Sequence, residues 1–387
     1  GDFDRAEEQL RAALVMTHSL GDRYQQAKTL NVQGLLYWEL GDYEEAISRF
    51  GQAAELADAL DDPKMKGAVL NNTSLVFDEL GEYRKSLQTY RRALDLYSQT
   101  DFPRGEGDTL GNIGGVYLLL GRYREALENY RKALEISTGL ESVTAMSQDH
   151  GNLALCHLGL GRVGEALVHF DRAIELAGQA GSQQDMAYWQ RGKANALMRL
   201  GRHDQGLELH RVAVEAYEFI GAGTEAVEAM HDLGEIYLSL GDTESAAQWF
   251  DRSMVLARDT GLARGITINL LSLGDLQLRR KALEESAALY AQAWQRARES
   301  GEVWLQADSL LRLSRVHRQQ DRLTEAASEA GQALKLADEI DAPFLAASAL
   351  GETGAVSRDQ GDDAGAAAEF QQALERLPEP RSPELAW

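Results

Sequence analysis

Cysteine is almost missing from this sequence. The 387-residue chain carries one, Cys156, so no disulfide closes within it, which points to a reducing, cytoplasmic setting. Beside Leu155 on a helical segment, that cysteine reads as a small buried hydrophobe. Long apolar runs are missing too: none reaches bilayer length, and no signal peptide precedes the first charged residues. Membrane partners are therefore not expected. Basic charge is scarce, with 39 Lys and Arg against 61 Asp and Glu and a net charge of −22. Such a surface repels phosphate backbones, which argues against nucleic acid. It admits a basic partner, or serves only solubility. The G-x-x-x-x-G-K-[ST] and G-x-S-x-G signatures are absent, as are Cys-x-x-Cys and His-Glu-x-x-His. His150 and His157 stand seven apart on one helix face, near Cys156 and His169, but they occupy packing positions and lack metal-ligand spacing. No cofactor, metal or catalytic activity is expected. A starting Met is also lacking, and the chain opens in mid-repeat, so a fragment of a larger protein is expected.

What is present is a period. Gly41, Gly81, Gly121, Gly161, Gly201, Gly241 and Gly361 stand in one 40-residue register that begins at Gly1, with Lys281 and Asp321 filling its two remaining places. A second ladder holds Gly21, Asp61, Asp101, Glu141, Gly181, Gly221, Gly261, Gly301 and Asp341. Glycine reaches left-handed backbone without steric cost, so each ladder marks helix ends. At Lys281 the same reasoning predicts a looser turn, because a side chain disfavours positive φ.

Between the breaks the spacing is helical. Residues 43–57 carry Ala46, Ile47, Phe50, Ala53, Ala54 and Ala57 at three–four intervals, one buried stripe. Asp42 with Glu45 reads as a capping box. Residues 24–40 form the partner helix, with Leu30, Gly34, Tyr37 and Leu40 expected inward. Pro63, Pro103 and Pro343 share one phase, expected in the inter-repeat turn, and Pro378, Pro380 and Pro383 lie in the tail, so none interrupts a helix. One first-helix column is small throughout: Gly34, Ser74, Gly114, Ala154, Ala194, Gly234, Gly274, Ser314, Gly354. The second helix repeats a small residue, then a ring (Phe50, Tyr90, Tyr130, Phe170, His210, Phe250, Tyr290), then a small residue. The small residues let paired helices approach, and the ring is expected to fill the space between neighbouring pairs.

These columns resemble the tetratricopeptide repeat, L-x-x-L-G-x-x-Y followed by A-x-x-x-F/Y-x-x-A, over nearly the whole chain. The unit is longer than the usual 34 residues. It is similar to the long repeats of spindle-orientation adaptors, kinesin light chains and the sensor regions of bacterial signalling ATPases and regulators. The resemblance implies an all-α, right-handed superhelical solenoid of antiparallel helix pairs, stable by stacking. Residues 1–377 would form one solenoid, an opening helix 1–20 and nine pairs, with an irregular proline-rich tail at 378–387.

The resemblance also implies that first helices line a concave groove. Asn72, Asn112 and Asn152 share one 40-residue column there, with Asn31 and Asn71 one residue before it and Asn195 a turn beyond. An amide both donates and accepts, so such a row suits the main chain of an extended peptide. The structural alternative is that these residues cap or bridge helices. Leu35, Leu75, Leu155 and Trp38 follow on the same face as candidate apolar anchors, with core packing as the alternative for the leucines. Further on, Arg312, Arg315 and Arg318, with Arg279 and Arg358 in neighbouring repeats, form a stripe suited to carboxylates or phosphates, unless Asp275 and Asp308 pair with it. Glu228, Asp232 and Glu235 form an acidic patch, with Tyr188, Arg191 and Arg199 before it. The expected ligand is a protein or extended peptide of mixed character. The alternatives are a sensor region that closes on a small molecule or signal peptide and switches an attached effector domain, and a purely structural scaffold.

Overall fold

The computed structural model describes residues 2–340 and 342–377. The tail 378–387 and Asp341 of the second ladder lie outside them. Among the described residues there are nineteen α-helices and no strand. The chain divides into two compact units, one ending at Leu209 and one beginning at His210.

Unit 1 opens with α1 (Asp2–Ser19). It continues with the pairs α2 (Arg23–Glu39) and α3 (Tyr43–Ala59), α4 (Pro63–Glu79) and α5 (Tyr83–Ser98), α6 (Pro103–Leu119) and α7 (Tyr123–Gly139), and α8 (Val143–Gly159) and α9 (Val163–Ala180). It ends with α10 (Gln183–Arg199), and α11 (His203–Ile220) crosses the boundary. Unit 2 holds α12 (Gly223–Ser239) with α13 (Thr243–Asp259), α14 (Ala263–Arg279) with α15 (Leu283–Glu299), α16 (Val303–Gln319) with α17 (Leu323–Glu339), and α18 (Pro343–Asp359) with α19 (Asp363–Arg376).

The helix ends follow the glycine register for a local reason. Gly41 sits at φ 75°. Its N–H donates to Trp38 O at 3.0 Å, and that of Asp42 to Tyr37 O at 2.9 Å. Together these satisfy carbonyls that the helix leaves open. Lys281 makes the same turn at φ 62°, with Lys281 N–H to Leu278 O and Ala282 N–H to Gln277 O both at 2.9 Å. The looser junction expected there does not occur. Two hydrogen bonds and the stacked helices outweigh a left-handed cost of roughly 1–2 kcal/mol. Asp101 departs from its ladder: α5 stops at Ser98 and the chain turns through Thr100, whose N–H reaches Tyr97 O at 2.9 Å.

Capping is half of what the sequence suggested. Asp42 Oδ1 accepts from Glu45 N–H at 3.2 Å, but the Glu45 carboxylate turns to Arg49, because the Asp42 N–H is already spent on Tyr37. Pro63, Pro103 and Pro343 are the first residues of α4, α6 and α18 rather than turn residues. Proline fits there because its missing N–H would have had no intrahelical partner.

The small column and the ring meet inside one helix pair, not between pairs. A Cβ on Gly114 would lie 2.9 Å from Tyr130 Cζ, and one on Gly354 would lie 2.9 Å from Phe370 Cε1. The core then extends to the next pair, since Leu30 and Phe50 cluster with Val69 and Val76 of α4. Burying a ring of this kind contributes roughly 1.5–3 kcal/mol. Leu40, expected inward, is 48% exposed because it is the C-cap of α2 and falls past the buried stripe.

Candidate functional site

First helices of successive pairs lie against one another: α2, α4, α6, α8 and α10 in unit 1, and α12, α14, α16 and α18 in unit 2. Each unit thus has a wall of first helices. Several polar contacts across these walls join residues 41 apart rather than 40, and others join residues 37 or 38 apart. Asn72 Nδ2 donates to Asn31 Oδ1 at 3.1 Å, and Asn112 Nδ2 to Asn71 Oδ1 at 3.2 Å. Asn71 Nδ2 reaches Asn72 Oδ1 at 3.4 Å. The amides therefore form one relay from α6 through α4 to α2, and bracing the wall is their first use. The half-buried Asn152 makes no hydrogen bond among the described residues, so its amide stays open. The same 41-residue offset takes Arg199 Nη1 to Leu158 O at 3.1 Å and Arg279 Nη1 to Leu238 O at 2.9 Å. Both arginines cap the C-terminal carbonyls of the preceding first helix.

Two clefts of unit 1 adjoin at Leu118. The larger, about 1170 Å³, runs between α4, α6, α7 and α8 and takes in Leu75, Leu118, Asn112 and Asn152. The smaller, about 560 Å³, shares Leu118 and includes Leu155, Asn195 and Arg199. Six residues singled out from sequence are thus gathered on adjoining ground. Leu35 and Trp38 instead lie half-buried against the core cluster of the first pairs. Tyr188 is 45% exposed, with its ring edge-on to Trp189 at 4.7 Å. Arg191 is half-buried.

Unit 2 treats its charges differently. Arg312 Nε bonds Asp308 Oδ2 at 2.9 Å, and its Nη1 bonds Asp275. Arg318 holds Glu352 Oε1 at 2.7 Å and Asp359 Oδ2 at 2.9 Å. Arg315 Nε stands 3.5 Å from the buried Glu352. The arginine stripe is neutralised by the protein's own carboxylates, which leaves little for an anionic ligand. Glu235 accepts from Ser272 Oγ at 2.5 Å, and Asp232 is half-buried beside it on α12.

The histidine group of α8 and α9 is a packing device. His150 Nδ1 lies 2.9 Å from His169 Nδ1, and His157 stacks on His169 at 5.3 Å. Burial, with His169 and Arg172 nearby, holds His150 down at about 4. Burial pushes the Cys156 thiol up to about 12, so it is unreactive. Among the described residues no group of three or more His, Cys, Asp or Glu is placed to hold a metal. No described helix is long and apolar enough to cross a membrane.

The larger cleft also holds Asp108 and Asp149, which the sequence reading passed over, and Tyr130, which it placed in the packing ring alone. A signal for Asp149 was present. Its column reads Thr29, Val69, Thr109, Asp149, Trp189, Ala229, Asn269, Ser309, Ala349; all but the half-buried Thr29 are buried, and Asp149 is the one acid among them.

The chain belongs to the tetratricopeptide repeat family. One form of the repeat matches residues 1–59, 105–179 and 185–259, together more than half of the chain. A second form matches residues 31–101. No curated protein sequence matches it. Among solved structures, the chain is similar to the apo form of the quorum sensor NprR from B. thuringiensis, at 12% identity and TM-score 0.60, covering 90% of this chain and all of that one. It is similar to apo RapI, at 14% identity and TM-score 0.56, covering 72% of this chain and 99% of that one. It is also similar to a signal-transduction ATPase with a tetratricopeptide repeat sensor from Pyrococcus horikoshii, at 16% identity and TM-score 0.59, covering 87% of this chain and 52% of that one. At such identities the likeness is one of fold: an all-α solenoid of helix pairs.

Proposed function

We propose that this chain is a non-catalytic binding module that holds an extended peptide or protein segment along the first-helix wall of unit 1. The observation that carries this reading is the 1170 Å³ cleft, where the open amide of Asn152 and the amide of Asn112 face leucines. Spare donors and acceptors beside apolar surface suit a main chain with occasional hydrophobic side chains. The acidic protein makes nucleic acid an unsuitable occupant, and a cytoplasmic location fits the single buried thiol. A random pool of acetylated hexapeptides, screened by fluorescence polarisation, tests it. Asn152→Ala breaks no protein hydrogen bond, so it is expected to keep the fold and weaken the hits about tenfold, roughly 1.4 kcal/mol. Absence of any hit, or hits indifferent to Asn152→Ala, would refute the reading.

A second reading is a sensor region that controls an attached effector. It is favoured by the fold likeness to a quorum sensor and to a signalling ATPase whose repeats form its sensor. Ligand-dependent change in the activity of a longer parent protein would support it.

A further inference from the structure

The larger cleft of unit 1 is short of positive charge. Asp149, on α8, is 8% exposed. Its Oδ2 accepts from Ser137 Oγ at 2.7 Å, and its other oxygen has no hydrogen-bond partner among the described residues. Asp108, on α6, lines the same cleft with its side chain 62% exposed. The one cation on the described lining is Arg104, whose Nε stands 4.0 Å from Asp108 and whose side chain is 79% exposed. At that distance, and that wet, the pair is strongly screened by solvent and weak.

A second observation is independent of the acids. Tyr130 is 3% exposed and lines the cleft. Its hydroxyl has no hydrogen-bond partner among the described residues. A Cβ on Gly115, also part of the lining, would lie 3.5 Å from that oxygen. Neither oxygen is sealed away from solvent, and both residues line the cleft, so Tyr130 and the free oxygen of Asp149 offer the cleft acceptor capacity that the fold itself does not use. The unpaired carbonyl of Asn152 adds another acceptor. Burial raises the Asp149 carboxyl and Asp108 adds to it, as uncompensated negative charge should.

We infer that the cleft between α6, α7 and α8 is the subsite for a cationic group, a guanidinium or ammonium, held by Asp108, Asp149, Tyr130 and Asn152. A guanidinium brings five donors and no acceptor, which matches a lining rich in acceptors. This deepens the proposed function and rests on it in one respect: the cation belongs to a side chain of the bound peptide. Leu118, where the two clefts meet, gives the flanking residues an apolar footing.

The test uses three pools of acetylated, amidated hexapeptides with Arg, citrulline or Glu fixed at one position and Ala, Leu, Ser and Asn elsewhere. The Arg pool is expected to bind at least tenfold more tightly than the citrulline pool. Asp108→Asn and Asp149→Asn should each reduce that preference several-fold, because losing a carboxylate weakens Arg peptides more than uncharged citrulline peptides. Asp108 is exposed, so its variant folds whatever Asp149 does. Equal binding of Arg and citrulline peptides, or preference for Glu, overturns the inference and leaves peptide binding standing. If no pool binds, the peptide reading falls, and N-acetyl-arginine amide is titrated against its citrulline analogue by NMR. Shifts at Asn152 and Tyr130 with the arginine compound alone then uphold the cation subsite, and their absence overturns it.

Discussion

Asp149→Asn separates the stability of this protein from the chemistry of its cleft. Burial raises the Asp149 carboxyl from its ordinary 3.8 to about 6; the Ser137 hydrogen bond pulls it back, and the charge of Asp108 pushes it further up. The folded-state value lies above the unfolded one. The contribution to stability is therefore complete below pH 3.8 and is lost as pH rises through 6. Above that range the ionised carboxylate costs the fold roughly 3 kcal/mol. At 8% exposure, solvent screening removes little of this. Asparagine keeps an oxygen for the Ser137 hydroxyl and cannot ionise. The variant should be more stable than the parent by about 2–3 kcal/mol at pH 8, and the gain should shrink to about half by pH 5. Urea unfolding followed by circular dichroism at pH 8, 7, 6 and 5 measures the difference. Groups common to both proteins, the histidine stack included, cancel in it. An asparagine variant less stable than the parent at pH 8, or a gain that does not vary with pH, would refute the reasoning. A stabilised variant that also loses its preference for cationic peptides would show that the carboxylate is kept for binding at a cost in stability.

Three further outcomes are expected. Lys281→Gly should stabilise unit 2 by about 0.5–1 kcal/mol, the left-handed relief less the added freedom of glycine in the unfolded chain, seen as slower amide exchange at the end of α14. Gly114→Ala should destabilise unit 1 by about 1–3 kcal/mol in urea unfolding, because its methyl would lie 2.9 Å from the Tyr130 ring inside a packed pair. His150→Leu should blunt acid unfolding. The folded-state value of His150 lies below its ordinary 6.5, so stability is lost as pH falls from 6.5 towards 4, by about 1–2 kcal/mol between pH 7 and pH 5. Replacing His150 removes that part of the slope between those pH values.

The sequence by itself determined where helices begin and end. Caps such as Asp42 and left-handed turns such as Gly41 use hydrogen bonds spanning three to five residues, so a forty-residue period in glycine and small residues maps directly onto elements. It also marked Leu75, Asn112, Asn152, Leu155, Asn195 and Arg199 as wall residues. What those side chains do was decided only by stacking. Packed helices cross at an angle, and here that brings side chains 41, 38, 37 or 34 residues apart into contact instead of those 40 apart. The column Asn72, Asn112, Asn152, aligned at 40, is therefore no ladder, while Asn31 with Asn72 and Asn71 with Asn112 are bonded pairs. The arginine stripe of α16 met carboxylates from α14 and α18 for the same reason. Asp149 acquired its meaning only when α6 and α7 were set against it. Pairing between separate helices depends on their tilt and depth of packing, which no local pattern encodes.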